Sequence, residues 1–299
     1  MTSGDHAILL EIGSALPLDP REARLSPRAE ADADAGTRAP PRGRARPLAL
    51  ACLLPALALG AAEAAGRLGW VSSHLLPTPL EVLQALFDLG GRTVLGHVAA
   101  STGRVAAGYA TGTVLALAVG AVVGLSAGAR SMLDPTFQAL RAIPSLAWVP
   151  LLLLWLGIGE APKLAMIAIG AFFPVYMGVV AGIQGVDRKL VEVARLMRLR
   201  RLALVRRVLL PAALPSVMTG LRNGLSLAWM FMVAGELIAA SSGLGTLLTD
   251  GRETGRADLV LAAIVLLALL GKLSDGAMAA LERRLLAWRD VFDGGGAPR

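Results

Sequence analysis

Side chains that do chemistry are scarce in this chain. Its 299 residues include one cysteine, Cys52, and three histidines, His6, His74 and His97. A single cysteine excludes an internal disulfide and a cysteine metal cluster. All three histidines lie outside the long apolar runs, which weighs against an intramembrane metalloenzyme or a Ser–His hydrolase. No G-x4-G-K-[ST] loop is present. The nearest string, LLGKLS at 269–274, lacks the first glycine and carries Leu273 where Ser or Thr is required, so the chain has no phosphate-cradling loop of its own. Charge is scarce too, at 17%, against about a quarter in soluble domains.

What is abundant is uncharged apolar sequence. Mean hydropathy is +0.62, and no charged residue occurs from Val105 to Ala129, from Ala142 to Gly159 or from Leu164 to Val186. About 20 apolar residues suffice for a helix to cross the hydrocarbon layer, so these runs imply an all-α, polytopic transmembrane bundle. Six spans are expected, at about 48–66, 101–127, 138–158, 164–184, 213–239 and 257–280. In the sixth, Lys272 and Asp275 are placed to pair at i,i+3. The outer stretch LPTPLEVLQALFDLGG predicts an amphipathic helix at about 80–89, started by Pro79 and ended by Gly90–Gly91. In the second span Gly108, Gly112, Ala116, Gly120, Gly124 and Gly128 recur every four residues. That spacing makes a groove for a close helix neighbour, either within the chain or on another subunit.

The net charge of +7 fits a membrane better than nucleic acid, because Lys and Arg gather in cytoplasmic loops. Arg38, Arg42, Arg44 and Arg46 precede the first span and place the N-terminus inside. Residues 1–47, rich in Pro, Arg, Asp and Ala, read as a disordered cytoplasmic tail, residues 48–285 as the transmembrane domain, and 286–299 as a cytoplasmic C-terminal tail. Segments 128–137, 185–212 and the end after 281 are then cytoplasmic.

The basic stretch VEVARLMRLRRLALVRRVLLPAALP at 191–215 stands out. It reads as two short surface helices, the first capped by Asp187 and the second turned into the fifth span at Pro211. Such an element docks either on a partner or on anionic lipid. Its spacing resembles the E-A-A-x3-G-x9-I-x-L-P loop of ABC-importer permeases, falling on Glu192, Val193, Ala194, Arg198, Val208, Leu210 and Pro211. Arg198 stands where that family has Gly. A glycine there would end the first helix in a left-handed turn, so either the helix ends differently or the loop docks less tightly. IPSLAWVPLLLLWLGIGEAPK, FFPVYMGVVAGI and ALPSVMTGLRNGLSLAWMFMVAGELI extend the likeness, over about residues 76–290, to permeases for aliphatic sulfonates, taurine or nitrate.

The resemblance implies a type I importer permease (MetI-like) of the bacterial inner membrane, itself not an enzyme and without a cofactor. ATP and Mg would be bound by two copies of a separate ATPase seated on the loop around Glu192. A second copy of the chain would complete the pore, and an extracytoplasmic binding protein would deliver the substrate, with sulfonates favoured. Candidate pathway residues are Arg222, Asn223 and Ser226 in the fifth span, Ser145 after Pro144, and Glu236. Arg222 can equally serve as the partner of a nearby acid. Glu236 can repel anions, cap a loop or pair with Lys163. An ion-driven secondary transporter is the competing class; it calls for midspan carboxylates and repeat symmetry, neither of which is evident.

Overall fold

The computed structural model describes residues 45–70, 72 and 76–288; the tail expected at 1–47 and the end of the chain lie almost wholly outside them. The chain divides after Ala58 into two compact units. Of the first, the described part is the beginning of α1 (Ala45–Arg67). Everything below concerns the second.

Its elements, in order, are α2 (Pro79–Leu89), α3 (Gly91–Leu125), α4 (Ala127–Ala142), a 3-10 turn (Ser145–Trp148), α5 (Val149–Leu156), α6 (Glu160–Gln184) and α7 (Arg188–Leu196). Then come α8 (Arg201–Leu204), a π-helical stretch (Val205–Leu209), α9 (Leu210–Ala239), α10 (Leu244–Glu253) and α11 (Ala257–Leu285). Four stretches are long and apolar enough to cross a membrane: α3, α6, the continuous helix Arg201–Ile238, and α11. The bent pair α4–α5 makes a fifth if counted as one span. The expected first span falls on α1, which is not among them.

The predicted surface helix is α2. Thr78 caps it: the Glu81 N–H donates to Thr78 Oγ1 at 3.3 Å, and Glu81 Oε2 accepts from the Thr78 N–H at 2.8 Å. This reciprocal box, with Pro79 in the first turn, satisfies donors that the helix end would leave open.

The bundle is organised around α6, with α3 on one side and α9 on the other. Between helices in lipid, apolar burial gives little driving force, so close packing of small residues matters more. The four-residue stripe of α3 supplies that packing within the chain. A Cβ at Gly108 would sit 2.6 Å from Ile167 Cβ, one at Gly120 2.9 Å from Val179 Cβ, and one at Gly124 2.7 Å from Ile183 Cδ1. Gly128 has nothing against it, so the groove ends one turn earlier than the spacing suggests. On the opposite side, Gly178 and Gly220 let α6 and α9 meet backbone to backbone. Val105, Ile167, Ala228 and Met232 fill the layer near the middle; Ala116, Val123, Val175 and Tyr176 fill the next.

Two expectations need correction. The span expected at 138–158 is not one straight helix: its two limbs are bent by 91°. Pro144 is the cause, because it drives Ile143 out of the helical region to φ −75°, ψ 124°. And Pro211 does not turn a separate short helix into the fifth span. Arg201–Ile238 runs on as one 38-residue helix. Pro211 has no N–H to give to Arg207, and the chain winds more widely just before it, with the Leu210 N–H reaching back five residues to the Val205 carbonyl. Segment 240–256 contains α10, which buries Leu244 and Leu247 against Ala263 of α11.

Candidate functional site

Three groups of side chains carry the site's chemistry. The first is the elbow, α7 and α8. Asp187 caps α7, its carboxylate accepting from the Lys189 N–H at 2.9 Å. Ala194 is buried, whereas Leu190, Val193, Leu196 and Met197 stand open. Glu192 is also exposed and, among the described residues, pairs only with Arg188 one turn back, Nε to Oε1 at 3.0 Å. Arg198 has φ 54°, the one positive value outside glycine among the described residues. Its N–H donates to the Arg195 carbonyl at 2.9 Å, and the Leu199 N–H to the Ala194 carbonyl at 3.1 Å. That pair of bonds is the left-handed helix ending a glycine would make. The turn is therefore kept with arginine in it, at a backbone strain of about 1–2 kcal/mol. Val208 lies in the wide π turn, and Leu210 and Pro211 open α9.

The second group faces outward from α9. Thr219, Asn223, Ser226 and Met230 follow one another at spacings of four, three and four, and all are exposed in the single chain. Arg222 is gripped from α11: Nε lies 2.6 Å from Asp275 Oδ1 and an Nη 2.9 Å from Oδ2, with Glu282 at 3.7 Å. Asp275 thus pairs with Arg222, not with Lys272 as its spacing suggested; a planar guanidinium fork matches both carboxylate oxygens where a lysine ammonium matches one. Ser226 Oγ donates to the Arg222 carbonyl. Trp229 Nε1 donates to Ser274 Oγ at 2.9 Å, a second tie between α9 and α11. Ser145 lies half-buried in the 3-10 turn, away from this face in sequence and element.

The third group is a buried ionic cluster at the far end of α9. The Glu236 side chain is wholly buried. Its Oε1 accepts from Arg104 at 2.7 Å and from Ser101 Oγ at 2.8 Å; its Oε2 accepts from the Gly245 N–H at 2.8 Å. Arg104 also grips Glu160 with two bonds, at 2.6 and 2.9 Å. Lys163 Nζ donates to the same Glu160 at 2.7 Å. So Lys163 pairs with Glu160, not with Glu236, and of the three roles open to Glu236 the geometry matches loop capping. Leu244 N–H donates to Ser101 Oγ at 2.8 Å, and Gly243 N–H to His97 Nδ1 at 3.0 Å. The carboxylate thereby holds the first turn of α10 onto α3. Gly243 and Gly245 are needed because Glu236 is pressed against them: a Cβ at Gly245 would lie 2.5 Å from Glu236 Cβ, and one at Gly243, φ 126°, would meet the carboxylate itself. Arg104 and Lys163 balance Glu160 and Glu236, so the cluster is neutral.

Sequence reading missed Arg104, Ser101 and the part played by Glu160. A signal existed: Arg104 immediately precedes an uncharged run, and Glu160 immediately follows another. Among the described residues no group of three His, Cys, Asp or Glu could hold a metal ion.

Comparison with known proteins agrees with this architecture. Residues 92–287 match the family model described as binding-protein-dependent transport system inner membrane component. The chain is 41% identical to a putative aliphatic sulfonates transport permease of Bacillus subtilis, over 81% of this chain and 88% of that one. It is 40% identical to a protein of the same description in Escherichia coli, covering 77% and 88%. A taurine transport system permease of Escherichia coli is 37% identical over 73% and 82%. Among solved structures, a chain of the inward-facing MetNI methionine ABC transporter superposes with a TM-score of 0.57 at 22% identity, covering 67% of this chain and 98% of that one, a likeness of fold. An all-helical bundle of apolar spans that matches this family over most of its length is a multi-pass ABC-importer permease, and the chain belongs to the binding-protein-dependent transport system inner membrane component family.

Proposed function

We propose that this chain is the membrane-spanning subunit of an ATP-driven importer for aliphatic sulfonates. It works as two copies with two ATPase subunits on the cytoplasmic face and a binding protein outside, in the bacterial inner membrane with both termini cytoplasmic. The observation that carries this is the elbow: within a chain of this family, α7 buries only Ala194 and leaves Leu190, Val193, Leu196 and Met197 open, beside Glu192. An amphipathic helix with an unpartnered apolar face seats in a partner's groove. The continuous helix from Arg201 to Ile238 gives the stroke a stiff route into the bundle.

Sulfonate is favoured because two relatives, at 41% and 40% identity, carry that description, and taurine is itself a sulfonate. The open face of α9, with Asn223 and Ser226, is the proposed lining of the path. Arg222 borders it, its charge shared with Asp275, and Ser145 is the remaining lining candidate. Glu236 belongs to the frame, since its carboxylate is sealed among Arg104, Ser101 and α10.

Reconstitution with the cognate ATPase and binding protein in vesicles tests the proposal by ATP-dependent uptake of a labelled alkanesulfonate. Glu192→Lys is expected to reduce uptake at least about tenfold, a loss of roughly 1.4 kcal/mol in coupling, with membrane insertion unchanged. Uptake of nitrate but not sulfonate would move the assignment to that anion. Uptake driven by an ion gradient without ATP would overturn it.

A further inference from the structure

We propose that Arg200, Arg206 and Arg207 form a binding site for the phosphodiester headgroup of an anionic phospholipid. The three arginines, with Leu202 and Ala203, line an open hollow of about 480 Å³. Among the described residues none of Arg195, Arg198, Arg200, Arg201, Arg206 and Arg207 forms an ion pair; in this region only Arg188 does, with Glu192. The cations inside the bundle and at its far end, Arg104, Lys163, Arg222 and Arg256, have carboxylate partners, whereas Arg283 and Arg284 at the end of α11 form no ion pair among the described residues and so serve as a matched control. Arginine forks grip phosphate oxygens in pairs, and three of them around one hollow suit a single phosphate.

Lipid is the occupant for two reasons. The first is depth. The helix Arg201–Ile238 has 38 residues, about 57 Å at 1.5 Å per residue. A bilayer with its headgroups is about 40–45 Å thick, so roughly 27–30 residues counted back from Ile238 reach the inner headgroup layer, close to residues 208–211. Arg206 and Arg207 stand at the edge of that layer, and Arg200 lies roughly 12–16 Å beyond it at 1.5 Å per residue. The second is the company the arginines keep. Leu202 and Leu210, one turn to either side of Arg206, are 70% and 59% exposed. A surface that alternates open leucine with uncompensated arginine along one helical line suits acyl chain and headgroup together. The docking face of α7 is a separate set of residues, so lipid and ATPase do not require the same side chains.

The test uses the full chain alone, reconstituted in phosphatidylcholine vesicles with a trace of spin-labelled phosphatidylglycerol or spin-labelled phosphatidylcholine. The wild-type chain is expected to retain the phosphatidylglycerol label preferentially. Arg206→Gln should lower that preference about fivefold, the effect of one surface cation on anionic lipid, and the triple change R200Q/R206Q/R207Q should lower it further. Arg283→Gln with Arg284→Gln, basic residues at the end of α11, should leave it unaltered. The proposal is overturned if the triple variant keeps the preference, or if the Arg283 and Arg284 changes reduce it equally, which would indicate a general basic surface. It is overturned too if inorganic phosphate displaces the label better than chloride at matched ionic strength, since the ligand would then be free phosphate. Loss of the preference on adding the ATPase to the vesicles would assign the hollow to that protein partner. Should the triple variant fail to insert, Arg206→Gln alone decides, with unchanged preference counting against the site. No step of this experiment needs a substrate, so its outcome stands apart from that of the uptake assay.

Discussion

The two ends of the long helix through Arg201–Ile238 treat charge in opposite ways. At the Glu236 end, two cations and two carboxylates are drawn together from α3, α6 and α9, and three of the four side chains are almost or wholly out of reach of solvent. At the arginine-rich end, a run of six cations has no carboxylate of its own to answer it, and apolar side chains stand open among them. An end that is internally satisfied has nothing left to offer a partner. An end left unsatisfied is built to be completed by something else. The contrast separates frame from interface using charge alone.

The sharpest way to break this comparison is at the satisfied end. Glu236→Ala leaves Arg104 with one buried partner fewer, strands the Gly245 N–H and frees the start of α10. Removing one member of a buried pair typically costs about 3–5 kcal/mol. The expected result is a large fall in the thermal unfolding midpoint in detergent, with Glu236→Gln falling less because the amide oxygen still accepts. A midpoint like that of the wild type would mean that the cluster holds nothing. Asp275→Ala probes the middle of the helix, where Arg222 is partly exposed. The destabilisation should be smaller than for Glu236→Ala, and the wild-type protein's dependence on added salt should flatten in the variant, because an accessible pair is screened. If Arg222→Ala leaves uptake kinetics unchanged, Arg222 does not border the path. The smallest effect belongs to the open end and has the opposite sign. Arg198→Gly relieves the left-handed strain but adds unfolded-state freedom, so a net gain of about 0.5 kcal/mol is expected, read as slower hydrogen exchange at Leu199.

Much of the frame was legible from spacing alone. Small residues every four positions on α3 point to a groove, and Pro79 and Gly90–Gly91 bound α2 within a residue. Period and capping are local, so a linear reading reaches them. The cluster was not legible in the same way, since Arg104 and Glu236 are 132 positions apart and Arg222 and Asp275 are 53 apart. Nothing in local spacing says which distant carboxylate a cation will meet, and for Asp275 the local candidate, Lys272, was the wrong one. Proline misled in both directions. Pro144 breaks an apolar run that length alone reads as straight, whereas Pro211, which reads as a break, is absorbed by wider winding. The deciding difference is whether the turn before the proline can rearrange its carbonyl bonds. At Arg198 the sequence left open how α7 ends, and the backbone keeps the glycine-like turn despite the side chain.

The wide winding at Val205–Leu209 has a mechanical corollary. One surplus residue is lodged there, and each helical residue advances the chain by about 100° around the axis. Deleting a single position in that stretch would restore ordinary pitch and leave α7 close to its present bearing, whereas deleting one from the regular helix after Leu210 would turn α7 by about 100° relative to the membrane-embedded part. The wide turn is thus one residue's worth of slack, taken up without disturbing the direction in which α7 leaves the helix.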